Sequence, residues 1–278
     1  MKRFTLKQIA SAISERDYQT ACDIINDQLS QDIGVNWRRD LTKLRDFLID
    51  DIPRFSIFAK DGNGKLPFLA FSSLPGSGFC VGAGDCLNWC YSFRAWRYPA
   101  AFCRQAQNAV LLQSMRGRGQ ILMALDKFKP ESGSIDFRLY VDGDFTGVFD
   151  IAFWFRALDN RQWLKAYGYS KSWQAFLDYD GVIPTNYLLN LSSGSKYTDA
   201  IKNKLKQLPF VRGEFKAVSL GRKVKSTDHA DRKHQAELRA AYGKKAFTCA
   251  GLCGDCTKSG HACGSDRFNG VDIIIAVH

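Results

Sequence analysis

At 278 residues, 45% of them hydrophobic and 24% charged, the chain has the balance of a soluble globular protein with a sizeable core, which excludes a disordered chain. No apolar run approaches the roughly 18 to 20 residues that span a bilayer. Met1-Lys2-Arg3-Phe4 leads into an amphipathic pattern rather than a signal-peptide core, so a cytoplasmic protein with no membrane partner is expected.

Residues 5–50 read as helices: Leu6, Ile9, Ala10 and Ile13 recur at helical spacing, as do Ala21, Ile24, Ile25 and Leu29, then Leu41, Leu44 and Leu48. Pro53 and the turn signal Asp61-Gly62-Asn63-Gly64 close this region. Residues 1–60 are thus an N-terminal helical region, either a cap packing on the main domain or a helix-turn-helix reader. Residues 61–278 form an α/β domain of short strand-like runs alternating with helical ones. LPFLAFSSL (66–74) is a strand candidate followed by a three-cysteine loop, and helices are expected over 100–115, introduced by Pro99, and 118–128. IDFRLYVDGDF (135–145) is the next strand and 148–158 the next helix. The alternation continues with LKAYGYS (164–170), a short helix at 173–177, TNYLLNLSS (185–193), a helix at 199–208 and EFKAVSLG (214–221). A basic helical stretch near 230–242 precedes AFTCAG (246–251) and VDIIIAVH (271–278).

Strands alternating with helices argue for parallel pairing and right-handed crossovers. Five strands over 66–221, with a sixth at 246–249 or 271–277, make a partial (β/α)6 barrel; an open doubly wound sheet is the alternative. In either fold the loops leaving the carboxyl ends of the strands build the site. If the sheet curls into a barrel, its first and last strands come near each other and bring both cysteine groups onto one face.

Of the nine cysteines, seven fall into two groups: Cys80, Cys86 and Cys90, then Cys249, Cys253, Cys256 and Cys263. In a reducing compartment such clusters point to metal or redox chemistry rather than disulfides. Cys22 and Cys103 lie apart on expected helices and read as small buried apolar residues, although Cys103 could close the first site. Structural zinc takes four N or S ligands, typically as two close pairs, whereas the first group offers three thiols. A [4Fe–4S] cluster held by three thiolates leaves one iron open for S-adenosylmethionine, bound through its amino and carboxylate groups. Gly82 and Gly84 let the loop wrap closely, and Trp89 would shield a cluster from water.

The first loop, FCVGAGDCLNWCY followed by YSFRAWRYP, resembles the three-cysteine loop of radical-SAM-like proteins of phages and plasmids, notably the gene-product-88 family. RLYVDGDF, a helix containing Trp154 and KAYGYSKS are similar to that family's strand, Gly-Asp-Phe, helix, Tyr-Thr-Lys order. The similarity covers roughly residues 66–263. It implies a radical-SAM-type partial barrel with the cluster on the loop after the first strand. It also implies that Gly143 and Asp144 stand where a Gly-Gly-Glu-like element holds the amino group of the bound methionine. The spacing departs from the usual C-x3-C-x2-C. The second group, CAGLCGDC, has that spacing, but Asp255 rather than an aromatic precedes its third cysteine, and Cys263 adds a fourth thiol. It reads as a structural or auxiliary [4Fe–4S] or zinc site. With four thiols present, His261 reads as solvent-facing, and His229, His234 and His278 have no evident partner.

The net charge of +11 is uneven: residues 201–245 carry thirteen Lys or Arg against four Asp or Glu, including Arg222, Lys223 and Lys225. Such a density draws polyanions, unless it is only a solvated face. Arg94 and Arg97, interleaved with Tyr91, Phe93, Trp96 and Tyr98, can stack bases and neutralise phosphates, or line a cofactor pocket. Two functions follow. One is an iron–sulfur enzyme of radical-SAM type in which a 5′-deoxyadenosyl radical abstracts hydrogen from an unknown substrate. The alternative is a nucleic-acid-binding metalloprotein whose iron–sulfur or zinc sites are structural. A third reading is an interaction protein of a mobile element with metal as a folding staple.

Overall fold

The computed structural model describes residues 1–60, 68–76, 78–222, 224–225, 227–251, 253, 256–257 and 261–277. Leu66, Lys223, Asp255, His278 and the turn at 61–64 lie outside the described residues. None of the described helices is long and apolar enough to cross a membrane.

Three helices open the chain: α1 (Arg3–Ser14), α2 (Tyr18–Ser30) and α3 (Val35–Asp50). Asp17 caps α2 by accepting the Thr20 amide at 2.9 Å. Their apolar stripes, among them Ile9, Ile13, Ile25, Leu41 and Leu44, are buried in the same core cluster as the sheet, so the helical region packs on the main body as expected of a cap. The following elements alternate: β1 (Phe58–Ala59), β2 (Leu69–Phe71), α4 (Ser92–Ala95), α5 (Pro99–Leu112), α6 (Met115–Asp126), β3 (Ile135–Leu139), α7 (Val148–Asp159) and β4 (Leu164–Ser170). Then come α8 (Trp173–Leu177), β5 (Tyr187–Ser192), α9 (Asp199–Leu205), β6 (Val211–Val218), α10 (Arg232–Tyr242), β7 (Phe247–Thr248) and β8 (Ile273–Ala276).

The eight strands form one sheet in the order β1-β2-β3-β4-β5-β6-β8-β7. Only β1 pairs antiparallel; all other neighbours are parallel. The sheet is open, so the first and last strands do not meet, and no barrel closes. From β2 to β6 the spatial order follows the chain, without the reversal that creates the crevice of a doubly wound sheet. Both candidates for the sixth strand are in the sheet: β8 lies beside β6, and β7 lies beyond β8. The edge strands β1 and β7 are two residues each, which leaves little ladder for edge-to-edge pairing.

The pleat divides the sheet into two faces. Phe137, Leu139, Leu164, Ala166, Leu189 and Leu191 face the main core with Trp154, Phe155 and Phe102 from the helices. On the opposite face Tyr167 packs with Phe68, Ala262, Cys263 and Ile273, with Cys249, Cys253 and Cys256 against them. Buried polar residues of α5 tie the sheet edge to the helices. Gln107 accepts the amides of Arg54 and Phe55, and Asn108 donates to the carbonyls of Ile57 and Ser72.

Asp150, in the first turn of α7, is buried and accepts hydrogen bonds from Tyr140 Oη at 2.5 Å and the Thr146 amide at 3.1 Å. Burial outweighs those bonds and pushes its pKa up to about 6. A raised carboxyl pKa contributes stability that is complete below the unfolded value and is lost as pH rises through the folded one. The loss amounts to about 3 kcal/mol between roughly pH 4 and 7. Asp150→Asn is expected to flatten the decline of the urea midpoint across that window. A variant whose midpoint falls as steeply as the wild type's would assign the pH dependence to other groups.

Candidate functional site

The loop that follows β2 folds against the carboxyl ends of the neighbouring strands. Gly84 N donates to Gly194 O at 2.9 Å, Lys196 N to Gly82 O at 3.0 Å, and Ala83 bridges Ser195 in antiparallel sense. A 3-10 turn over Asp85–Asn88 and the short α4 bring Cys86 and Cys90 round to the same side as Cys80. The second group arrives by a different route. Cys249 directly follows β7, and a 3-10 turn at Ala262–Gly264 seats Cys263 over β4 and β5, where Asn190 Nδ2 donates to Cys263 O at 2.9 Å. The two groups thus meet without barrel closure.

All seven cysteines line one cavity of about 340 Å³. Gly143, Asp144, Lys171, Ser192 and Ser193, from the carboxyl ends of β3, β4 and β5, line it too, and Arg138, Tyr167 and Tyr169 join them from within the strands. None of the nine cysteines is disulfide-bonded. Among the described residues no three His, Cys, Asp or Glu side chains converge closely enough to hold one metal ion. The donor set nonetheless suits a thiolate-bound group. The sulfurs of Cys80, Cys249 and Cys256 accept amide hydrogens from Gly76, Gly251 and Ala262 at 3.4, 3.4 and 3.3 Å. Arg138 Nη1 lies 3.9 Å from Cys253 Sγ.

Burial pushes the Cys80 thiol up to about 12, with Asp144 adding to the rise and Lys171 opposing it. It pushes Cys249 to about 11 and Cys263 to about 12, and it raises Cys86 as well. These thiols are protonated near neutrality, so any group they bind must displace their protons.

Gly143 has φ +83°, and a Cβ there would lie 2.9 Å from Ser73 O, so the turn after β3 requires glycine. The adjacent Asp144 is 4% exposed. Its carboxylate accepts from Phe145 N at 2.8 Å, Ser170 Oγ at 2.6 Å and Lys171 N at 2.8 Å. Burial raises its pKa, and these bonds together with the Lys171 charge oppose that. The side chain therefore fixes the loop leaving β4 while also facing the cavity. Lys171 Nζ in turn donates to Ser192 Oγ at 2.9 Å.

Of the other expected residues, His229 and His261 also line the cavity, and the rest lie elsewhere. Cys103 is fully buried in the apolar core and does not line the cavity, which removes it as a fourth ligand there. Arg94 and Arg97 are exposed and do not line the cavity, with Arg97 5.0 Å over the Tyr98 ring. Arg222 pairs with Glu237, and Lys225 is exposed. The basic segment is less uniform than its composition. Lys202, Lys206 and Lys216 converge on Glu214, and Arg212 is fully buried. His261, expected at the surface, is 7% exposed, because its ring packs between Phe68 and Tyr167 at 5.3 and 4.5 Å and accepts the Gly264 amide. His229 and His234 are buried with ring centroids 5.5 Å apart.

Sequence reasoning passed over Arg138, Tyr167, Tyr169 and Lys171. The signal was the alternation in IDFRL: Asp136 and Arg138 alternate with Ile135, Phe137 and Leu139 on a strand that packs on both faces.

No curated protein and no solved structure matches the chain. A family model described as Gene product 88 matches residues 55–268, a span that takes in both cysteine groups and every strand from β1 to β7, and the chain belongs to the gene product 88 family.

Proposed function

We propose that the protein is an iron–sulfur enzyme of radical-SAM type, with Cys80, Cys86 and Cys90 holding a [4Fe–4S] cluster whose open iron takes S-adenosylmethionine. The observation that carries this reading is the shared cavity: three thiols of one loop face Gly143, Asp144 and Lys171 at the carboxyl ends of sequentially ordered parallel strands. The open sheet is compatible with a partial barrel. When bound and reduced, such a cluster would supply the electron for reductive cleavage of S-adenosylmethionine. The chain's own groups have distinct tasks. Lys171 offers a cation to a carboxylate, Asp144 holds the loop that presents Lys171 and offers an acceptor to an ammonium, and Trp89 and Leu87 at the mouth keep water out. The reading carries with it a cytoplasmic location and a phage or plasmid origin.

Purified without oxygen, the protein should contain iron and sulfide in equal amounts, about four or about eight of each per chain. Reduction in the presence of S-adenosylmethionine should release 5′-deoxyadenosine, and Cys80→Ala should abolish that release. Colourless protein carrying zinc, or a cluster whose EPR signal ignores S-adenosylmethionine, would sink the reading.

Exposed Arg94 and Arg97, the latter stacked over Tyr98, favour a second reading, a nucleic-acid-binding metalloprotein. Arg222, Lys223 and Lys225 would then extend the contact, and binding would weaken steeply with salt. Affinity for single-stranded RNA or DNA that is unchanged in an Arg94→Ala/Arg97→Ala variant would exclude these two arginines from it.

A further inference from the structure

Two buried donors on the inner face of the sheet have no acceptor among the described residues. Arg138 Nε and Tyr167 Oη are both shielded from solvent and unbonded. They sit side by side, as Arg138 and Tyr167 are register partners across β3 and β4, and both line the cavity. Tyr167 is 1% exposed. Leaving such groups unpaired costs about 1–3 kcal/mol each. Their neighbours belong to the second cysteine group: Arg138 Nη1 reaches Cys253 Sγ at 3.9 Å, and Tyr167 packs in one cluster with Cys263.

The thiols of this group already have donors of their own, from Gly251 to Cys249, from Ala262 to Cys256 and from Arg138 to Cys253. A zinc ion on four thiolates brings no acceptor atoms beyond those sulfurs. An iron–sulfur cluster brings inorganic sulfides as well, and these accept hydrogen bonds. We infer that Cys249, Cys253, Cys256 and Cys263 hold a sulfide-bearing iron–sulfur cluster, not zinc, and that Arg138 and Tyr167 donate to its sulfides. Arg138 also places a positive charge beside an anionic cluster, which favours the reduced, more negative state. Both residues are positioning residues that set the potential. The inference concerns the second group alone and stands whatever the first group binds.

The test removes the first group. A Cys80→Ala/Cys86→Ala/Cys90→Ala variant, purified without oxygen, should stay brown and retain about four iron and four sulfide per chain. On that background Arg138→Leu should shift the midpoint potential of the remaining cluster to lower values. Arg138→Lys, which keeps the charge, should shift it less, and Tyr167→Phe should move it in the same direction as Arg138→Leu. Should Arg138→Leu fail to fold, the lysine and phenylalanine variants carry the comparison. Should the triple variant fail, Cys80→Ala alone replaces it. A colourless protein with one zinc and no sulfide overturns the assignment of the cluster. Potentials unmoved by Arg138→Leu and Tyr167→Phe, with the cluster intact, overturn the role of the two donors. In the wild-type protein, absence of 5′-deoxyadenosine release with this iron present would count against the first site only.

Discussion

Gly82→Ala is expected to dislodge the first cysteine loop. A Cβ at residue 82 would lie 1.7 Å from Lys171 O and 2.6 Å from Ser172 N, both backbone atoms of the segment leaving β4. A flexible side chain could swing away, but this backbone is held by Asp144 and by Ser195 Oγ, which lies 2.9 Å from Lys171 O. The loop must retreat, and Cys80, Cys86 and Cys90 retreat with it from Asp144 and Lys171. Overpacking of this kind costs about 1–3 kcal/mol and, for a chain of this size, lowers Tm by roughly 2–10 °C. The larger effect should fall on the site: if the two groups hold the proposed clusters, iron retained by the first should drop several-fold while the second keeps its own. Iron content and Tm measured together decide the matter, and a variant indistinguishable from wild type in both would show that the loop does not sit as described.

Arg212→Leu should be the most damaging single change in the sheet. Arg212 is fully buried in β6, and its guanidinium donates to Asn190 Oδ1, Phe268 O, Val271 O and Glu214 O. Asn190 passes the link on to Gly168 O and Cys263 O. This chain of hydrogen bonds joins β4, β5 and β6 to the segment that carries the second cysteine group. Leucine fills part of the space but leaves those acceptors unpaired in the interior, a loss of about 3–5 kcal/mol. Denaturant unfolding should show it as a lower midpoint, and the segment over 261–271 should gain the most in hydrogen exchange. An Asn190→Ala variant should give a smaller loss that is not additive with Arg212→Leu, since the two share bonds.

The elements with strong local periodicity were legible in the sequence. The three N-terminal helices, α7, β4 and β5 stand close to their expected places because apolar residues there recur at one clear period. β1 escaped notice because two residues carry no period, and its place in the sheet depends on Phe58 and Phe71 meeting across the pair. The cysteine groups could be read as groups, but the route by which they meet could not. It depends on Asn190 and Arg212 fixing a distant irregular segment, and no local signal announces that. Arg212 itself looked like one more positive charge in a basic stretch; only the tertiary fold shows it as interior. His261 was misjudged for the same reason, since Phe68 and Tyr167 are far away in the chain and bury it. Tyr167 and Arg138 stayed hidden because an alternating strand normally turns its polar side to solvent, whereas here both faces are covered and the polar side of IDFRL faces the cavity.

The position of β8 has a consequence for the order in which the molecule assembles. It follows β7 in the chain yet lies between β6 and β7, so β7 has no place in the sheet until β8 has docked. The contacts that the Ala262–Gly264 turn makes with β4 and β5 are likewise among the slow, non-local ones. Cys249, whose amide donates to Ile274 O at 2.8 Å, therefore reaches its seat only with that last pairing.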